Sequence, residues 1–183
     1  MTLSSKNSIQ TLLLAAVSLD GKISTGDRQS FSSPEDKKHF FASVESCDGC
    51  VFGSGSFEED PSWMLHELMP GKPRVVVTRK AEAYRKRYPE GKTLKFLGDE
   101  PGPILEWLGT LGCRKVAILG GGHVYSVFFR HQLVDRALIT LEPLVLGEGT
   151  PFCREACESH LRLHKVENLN PNTLLLDFTP KEN

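Results

Sequence analysis

Short, continuously apolar runs recur along the chain, and each gives way to a glycine-bearing turn or a helix-forming segment. Ile9–Val17, Gly49–Gly53, Arg74–Thr78, Thr93–Leu97, Lys115–Leu119 and Ala137–Leu141 are the runs. A strand that is apolar on both faces needs cover on both faces, and helices between parallel strands provide it. The intervening segments read as helices. Ser33-Pro34 supplies an N-cap and a first-turn proline for a helix to about Ser46. Gly55–His66 reads as a turn and short helix broken at Asp60-Pro61, and Ala81–Arg87 as a polar helix. Pro101–Gly112 places Ile104, Trp107, Leu108 and Leu111 on one face and ends at a glycine. A further helix runs from the Gly120–Gly122 bend to about His131. Late in the chain, His160–Val166 and Thr173–Phe178 flank Asn170-Pro171-Asn172 and read as an antiparallel hairpin at the sheet edge. Leu161 and Leu163 are expected on one side of the first strand, and Arg162 and His164 on the other. The expected fold is an α/β domain with a mostly parallel mixed sheet, whose ligands bind beyond the carboxyl ends of the strands.

The 183 residues carry no repeat or long linker, so one domain is expected over 1–183, with its core at about 9–178. Lys+Arg is 22 against 23 Asp+Glu, a balance that offers no bulk attraction to nucleic acid or an anionic membrane. The early apolar run Leu12–Val17 is too short to span a bilayer, and its flanks do not make a signal peptide. A cytoplasmic protein is the expectation. Five cysteines form no zinc spacing. Cys47-Asp48-Gly49-Cys50 precedes an apolar strand rather than opening a helix, so packing thiols are expected and no metal. The histidines at 39, 66, 123, 131, 160 and 164 form no metal motif and read as solvated or packing residues, with His66 and His123 set apart by position.

The strongest chemical signal is the Lys115–Leu119 strand running into Gly120-Gly121-Gly122 and then His123-Val124-Tyr125 at a helix start. Glycines let a backbone approach a ligand, and the free amides and dipole of a helix start attract phosphate. A tight turn needs fewer glycines than three. Gly53-Ser54-Gly55-Ser56 follows a second strand, and the two junctions are placed to grip a pyrophosphate from both sides. Thr78-Arg79-Lys80 ends a third strand with a hydroxyl and two cations, which suits the 2′-phosphate of NADPH. Asp36 carries two readings. It completes a capping box with Ser33, or it stands at the end of an inward stripe with Phe40 and Val44, where a partly desolvated carboxyl serves as an acid catalyst. Asp20 is the alternative polar group, or simply part of an Asp-Gly turn.

Taken in order, Ala16 through Ile23, Ser32 through Asp36, Gly53 through Ser56, Gly120 through Tyr125 and Val134-Asp135 resemble the dihydrofolate reductase-like superfamily. The likeness is closest to the reductase half of the bifunctional deaminase/reductase of riboflavin biosynthesis. It runs from about Ile9 to Phe178, and the deaminase half with its zinc ligands is not expected. The resemblance implies a three-layer α/β/α fold, NADPH as cofactor, and reduction of 5-amino-6-(5-phosphoribosylamino)uracil or a related ribosylamino-pyrimidine. A dihydrofolate or pterin reductase, and a nucleotide-binding protein without catalysis, are the alternatives. Implied cofactor contacts fall on Ala16, Gly53, Gly55, Ser56, Thr78, Arg79 and Gly120 through Tyr125. Implied substrate contacts fall on Glu59, Asp60 and His66, with Asp36 and Asp20 as the catalytic candidates. A homodimer is also implied. Val44 and His66 stand where the riboflavin branch has arginines, and Gly120 where it has a glutamate. A buried phosphate needs compensating charge, so the cofactor half matches the branch more fully than the substrate half.

Overall fold

The computed structural model describes residues 9–27 and 30–181; residues 28 and 29 of the expected Ser18–Ser32 loop, and the ends of the 1–183 span, lie outside the described residues. In chain order the elements are β1 (Gln10–Ser18), β2 (Lys22–Ser24), α1 (Pro34–Glu45), β3 (Gly49–Gly53), α2 (Ser54–Glu59), α3 (Pro61–His66), β4 (Arg74–Val77) and α4 (Ala81–Arg87). They continue with β5 (Leu94–Leu97), α5 (Pro101–Thr110), β6 (Lys115–Ile118), α6 (Gly122–Arg130), β7 (Arg136–Glu142), β8 (Thr150–Pro151), β9 (Leu161–Asn170) and β10 (Thr173–Pro180). Eight strands form one sheet in the order β5-β4-β3-β6-β1-β7-β10-β9. The first six run parallel, and β10 and β9 are antiparallel.

The continuous apolar runs are explained by two cores, one on each face. Leu13, Val51, Val75, Val116, Ile118 and Ala137 face one way and meet Ile104, Leu105 and Leu108 of α5 and Val124, Tyr125 and Phe128 of α6. Their neighbours Leu12, Leu14, Cys50, Phe52, Val76, Ala117 and Leu138 face the other way and meet Val44 of α1, Phe57 of α2, and Leu68 and Met69. Strand side chains alternate, so both sets must be apolar. Each fully buried phenylalanine here, Phe52, Phe57 and Phe96, contributes about 2–3 kcal/mol by leaving water.

Two expectations about faces need correction. Leu111 is 42 % exposed, because α5 ends at Thr110 and Gly112 turns the chain at φ +82°; Leu105 takes its place in the core. The alternation on β9 marks no buried face: Leu163 is 49 % and Val166 51 % exposed, since β9 is the sheet edge and little packs over it. The expected polar loop after β1 also contains β2, which pairs antiparallel with β8 as a second, two-stranded sheet. That small ladder folds the segment after β8 back over the start of α6.

Polar side chains, among them buried Thr11 and Glu142, hold the frame. Asp135 accepts from the Thr11 amide (2.8 Å) and hydroxyl (3.0 Å), locking β1 to the turn before β7. Glu142, buried at the end of β7, accepts from the Ser33 amide (2.8 Å) and the Thr173 hydroxyl (3.0 Å). It thereby fixes where α1 begins. The five cysteines are unpaired, and Cys47, Cys50 and Cys113 are buried; burial pushes the Cys50 thiol up to about 12. No helix among the described residues is long and apolar enough to cross a membrane.

Candidate functional site

A crevice of about 790 Å³ opens at the carboxyl ends of β1, β3 and β6. Connections leave β1 and β3 over one face of the sheet and β6 over the other, so no helix covers the strand ends where they diverge. Ala16, Gly53 through Ser56, Thr78, Arg79 and Gly121 through Tyr125 all line it, as do Asp36 and Glu59. The two glycine junctions are physically joined: the Gly53 amide donates to the Gly120 carbonyl at 2.6 Å.

The three glycines answer to different causes. Gly120 has φ +94°, and a Cβ there would lie 2.7 Å from the Tyr125 hydroxyl oxygen. A Cβ on Gly122 would lie 2.3 Å from the carbonyl oxygen of Pro151, the last residue of β8. Packing within the protein therefore accounts for both. Gly121 has φ −75°, and a Cβ there would meet nothing closer than Ile23 at 3.7 Å and the Ser56 hydroxyl at 4.0 Å. Both of those residues line the crevice. Gly121 is the glycine of the three with a negative φ and no close contact for a side chain beyond its chain neighbours. It lies beside the start of α6, whose first capping bond runs from the Tyr125 amide to the Gly121 carbonyl (3.1 Å). The amides of Gly122, His123 and Val124 precede that bond, as helix-start amides do.

Gly120 itself is not in the crevice wall, and neither are Asp20, Asp60 or His66. These expectations are corrected as follows. Gly120 supports the bend from behind. Asp60 is the N-cap of α3, accepting from the Trp63 amide at 2.9 Å. His66 is exposed in the last turn of α3. Asp20 is exposed and accepts from the Ser18 hydroxyl (2.7 Å) and from the Leu146 (3.1 Å) and Gly147 (2.8 Å) amides. These bonds, the one from Ser18 first, hold its carboxyl down at about 2. A depressed carboxyl stabilises the fold above the unfolded value near 3.8 and loses that contribution as pH falls through about 2. Acid unfolding of Asp20→Asn and the native protein should therefore differ at neutral pH and converge near pH 2, a comparison that thermal melts across that range will make. Tyr125 lines the crevice, but its buried hydroxyl donates to the Leu14 carbonyl (2.6 Å). Burial pushes that phenol well above its ordinary value. Its role is to brace β1 against the glycine bend.

Asp36 shows half of a capping box. Its amide donates to the Ser33 hydroxyl (3.3 Å), but the Ser33 amide donates to Glu142 instead of to the Asp36 carboxyl. Asp36 is 6 % exposed and its residue lines the crevice. With it the crevice wall includes Phe40, expected on the same inward stripe, His39, and three residues without a sequence signal: Phe41, Trp63 and Thr140. Phe41 meets Phe40 and Trp63 edge-on, at ring separations of 5.6 and 6.0 Å. At the opposite end, both ring nitrogens of His123 face carboxylates, Glu155 at 2.7 Å and Asp99 at 3.0 Å, and Arg130 shares Glu155 at 2.9 Å. The hydrogen bonds from His123 and Arg130 hold the Glu155 carboxyl below its usual range. Asp99 follows the end of β5, where the strand-end rule could have found it; Arg154 and Glu155 sit in an irregular segment with no sequence signal. Among the described residues no group of His, Cys, Asp and Glu is arranged to hold a metal ion.

A mixed sheet with helices on both faces, an antiparallel pair at its end and a glycine-walled crevice at the parallel strand ends define a dihydrofolate reductase-like protein. The model of the RibD C-terminal domain matches residues 11–175, and the chain belongs to that family. Riboflavin biosynthesis protein RibD of Chlamydia muridarum is 36 % identical over 53 residues, which is 28 % of this chain and 14 % of that protein. Among solved structures, the deaminase/5-amino-6-(5-phosphoribosylamino)uracil reductase of Thermotoga maritima superposes with a TM-score of 0.76 at 18 % identity. That match covers 94 % of this chain and 57 % of the Thermotoga chain, little more than half. The riboflavin biosynthesis reductase Rib7 of Saccharomyces cerevisiae superposes with a TM-score of 0.71 at 18 % identity, covering 98 % of this chain and 93 % of that one. At such identities the superpositions establish the fold.

Proposed function

We propose that this chain is an NADPH-dependent reductase acting on 5-amino-6-(5-phosphoribosylamino)uracil or a related ribosylamino-pyrimidine. The observation that carries the reading is Gly121: a position open toward the crevice, beside the first amides of α6, where a side chain would occupy ligand space. Charge supports it as well. A second hollow of about 390 Å³ shares Ser54, Thr78 and Arg79 with the crevice and is also lined by Lys80 and Arg87. Three cations beside a hydroxyl suit a terminal phosphate, as the 2′-phosphate of NADPH requires. Arg130 offsets the Glu155 carboxylate, and both ring nitrogens of His123 engage the Asp99 and Glu155 carboxylates.

On this reading the residues at Gly121–Val124 and Gly53–Ser56 hold the pyrophosphate, and Thr78 and Arg79 the ribose phosphate. Ala16, small and at the end of β1, leaves the strand end open to the reacting ring. NADPH supplies the hydride when bound; the protein supplies orientation and a dry pocket. Asp36, buried in the wall among Phe40 and Trp63, orients the substrate and handles the accompanying proton. Glu59 also lines the crevice. Relatives named for riboflavin biosynthesis support the substrate class. A homodimer in the cytoplasm belongs to the same proposal.

The test is turnover. NADPH oxidation should depend on 5-amino-6-(5-phosphoribosylamino)uracil and not on dihydrofolate; the reverse would assign a pterin reductase, and binding without oxidation a protein that has lost catalysis. Asp36→Asn should lower kcat by about a hundredfold or more while NADPH affinity stays within about twofold. Unchanged turnover in that variant would remove Asp36 from the chemistry.

A further inference from the structure

Among the described residues, the buried side-chain polar atom without a hydrogen-bond partner is Nε2 of His39. An orphan of this kind costs roughly 1–3 kcal/mol, so its retention asks for a reason. His39 lines the crevice and follows Asp36 by three positions, which places the two residues on one face of α1. Phe40 and Thr140 line the same stretch of wall. The groups acting on the ring are Asp36 on α1, Glu167 on β9 and Arg136 on β7; burial outweighs them and lowers its pKa, favouring a neutral imidazole.

We propose that His39 and Asp36 form a two-point recognition pair for the edge of a pyrimidinedione ring, the imidazole Nε2 meeting a ring carbonyl beside the N–H that the carboxylate accepts. The inference rests on the reductase reading of this crevice and adds a specificity residue to it. A neutral imidazole donates through one nitrogen, a carboxylate only accepts, and a cyclic imide presents the complementary acceptor and donor side by side. Phe40, Phe41 and Trp63, packed edge-to-face, supply apolar surface beside the pair.

Uracil is the probe, titrated into the NADP+-saturated protein and its His39→Leu and His39→Gln variants. His39→Leu should hold or raise the thermal midpoint, because an apolar side chain removes the orphan. It should keep NADP+ affinity within about twofold and weaken uracil binding about tenfold. His39→Gln, which restores an N–H donor, should recover part of the loss. Unchanged uracil affinity in His39→Leu, a wild-type protein that binds NADP+ but not uracil, or a lowered midpoint in His39→Leu would each overturn the inference. Failure of NADP+ itself to bind would instead overturn the reductase reading, and uracil titrated into the ligand-free variants would still decide His39.

Discussion

Gly121→Ala is expected to leave the protein folded and to weaken NADPH binding by at least about thirtyfold, near 2 kcal/mol. The expectation follows from where the new methyl goes. It would stand 3.7 Å from Ile23 and 4.0 Å from Ser56, ordinary van der Waals contacts. It would also stand in the crevice beside the helix-start amides, holding a phosphate away from them. Gly122→Ala is the matched control. Its methyl would meet the Pro151 carbonyl oxygen at 2.3 Å, so it should damage the fold as well as binding. Melting curves and calorimetric titration on the two variants separate ligand space from packing space. Equal NADPH affinity in Gly121→Ala and the native protein would mean that the bend serves the fold alone.

Arg74→Met is expected to destabilise the protein by about 3 kcal/mol, lowering the melting midpoint by roughly 8 °C at this chain length. Arg74 is 2 % exposed, a buried cation satisfied by carbonyls. It donates to Met64, Leu65 (2.6 Å), Met69 and Lys72 (3.3 Å from Nε). Those carbonyls belong to the end of α3 and the loop after it, the segment that carries Trp63 into the crevice wall. Methionine fills part of the space but leaves the carbonyls without a donor. Arg74→Lys should recover only part of the loss, because one ammonium cannot span the positions that a guanidinium fork reaches. A melt of Arg74→Met indistinguishable from the native protein would show that the loop finds other donors.

The parallel sheet is legible because strands buried on both faces read as short apolar runs bounded by turn residues, as Leu12–Val17 and Val75–Val77 do. Ser33-Pro34 marked α1 because capping chemistry is local. The glycine bends were legible for the same reason, although only the structure divides them: Gly120 and Gly122 answer to Tyr125 and Pro151, and Gly121 answers to neither. What escaped was non-local. β2 and β8 are three and two residues long, too short for any period to show, yet their pairing brings Arg154 and Glu155 to the crevice. Sequence leaves His39 as either a solvated or a packing histidine, because its burial depends on elements far along the chain. Asp20, Asp60 and His66 were chosen by position in a motif, and local turn and cap bonds claim the two carboxylates.

Calorimetric titration of the purified protein with NADPH and with NADH tests the central claim most directly. Saturable binding of NADPH at one site per chain, tighter than NADH by about tenfold and losing that preference in Arg79→Ala, is the predicted result. Absence of heat and of any melting shift with either coenzyme would contradict it.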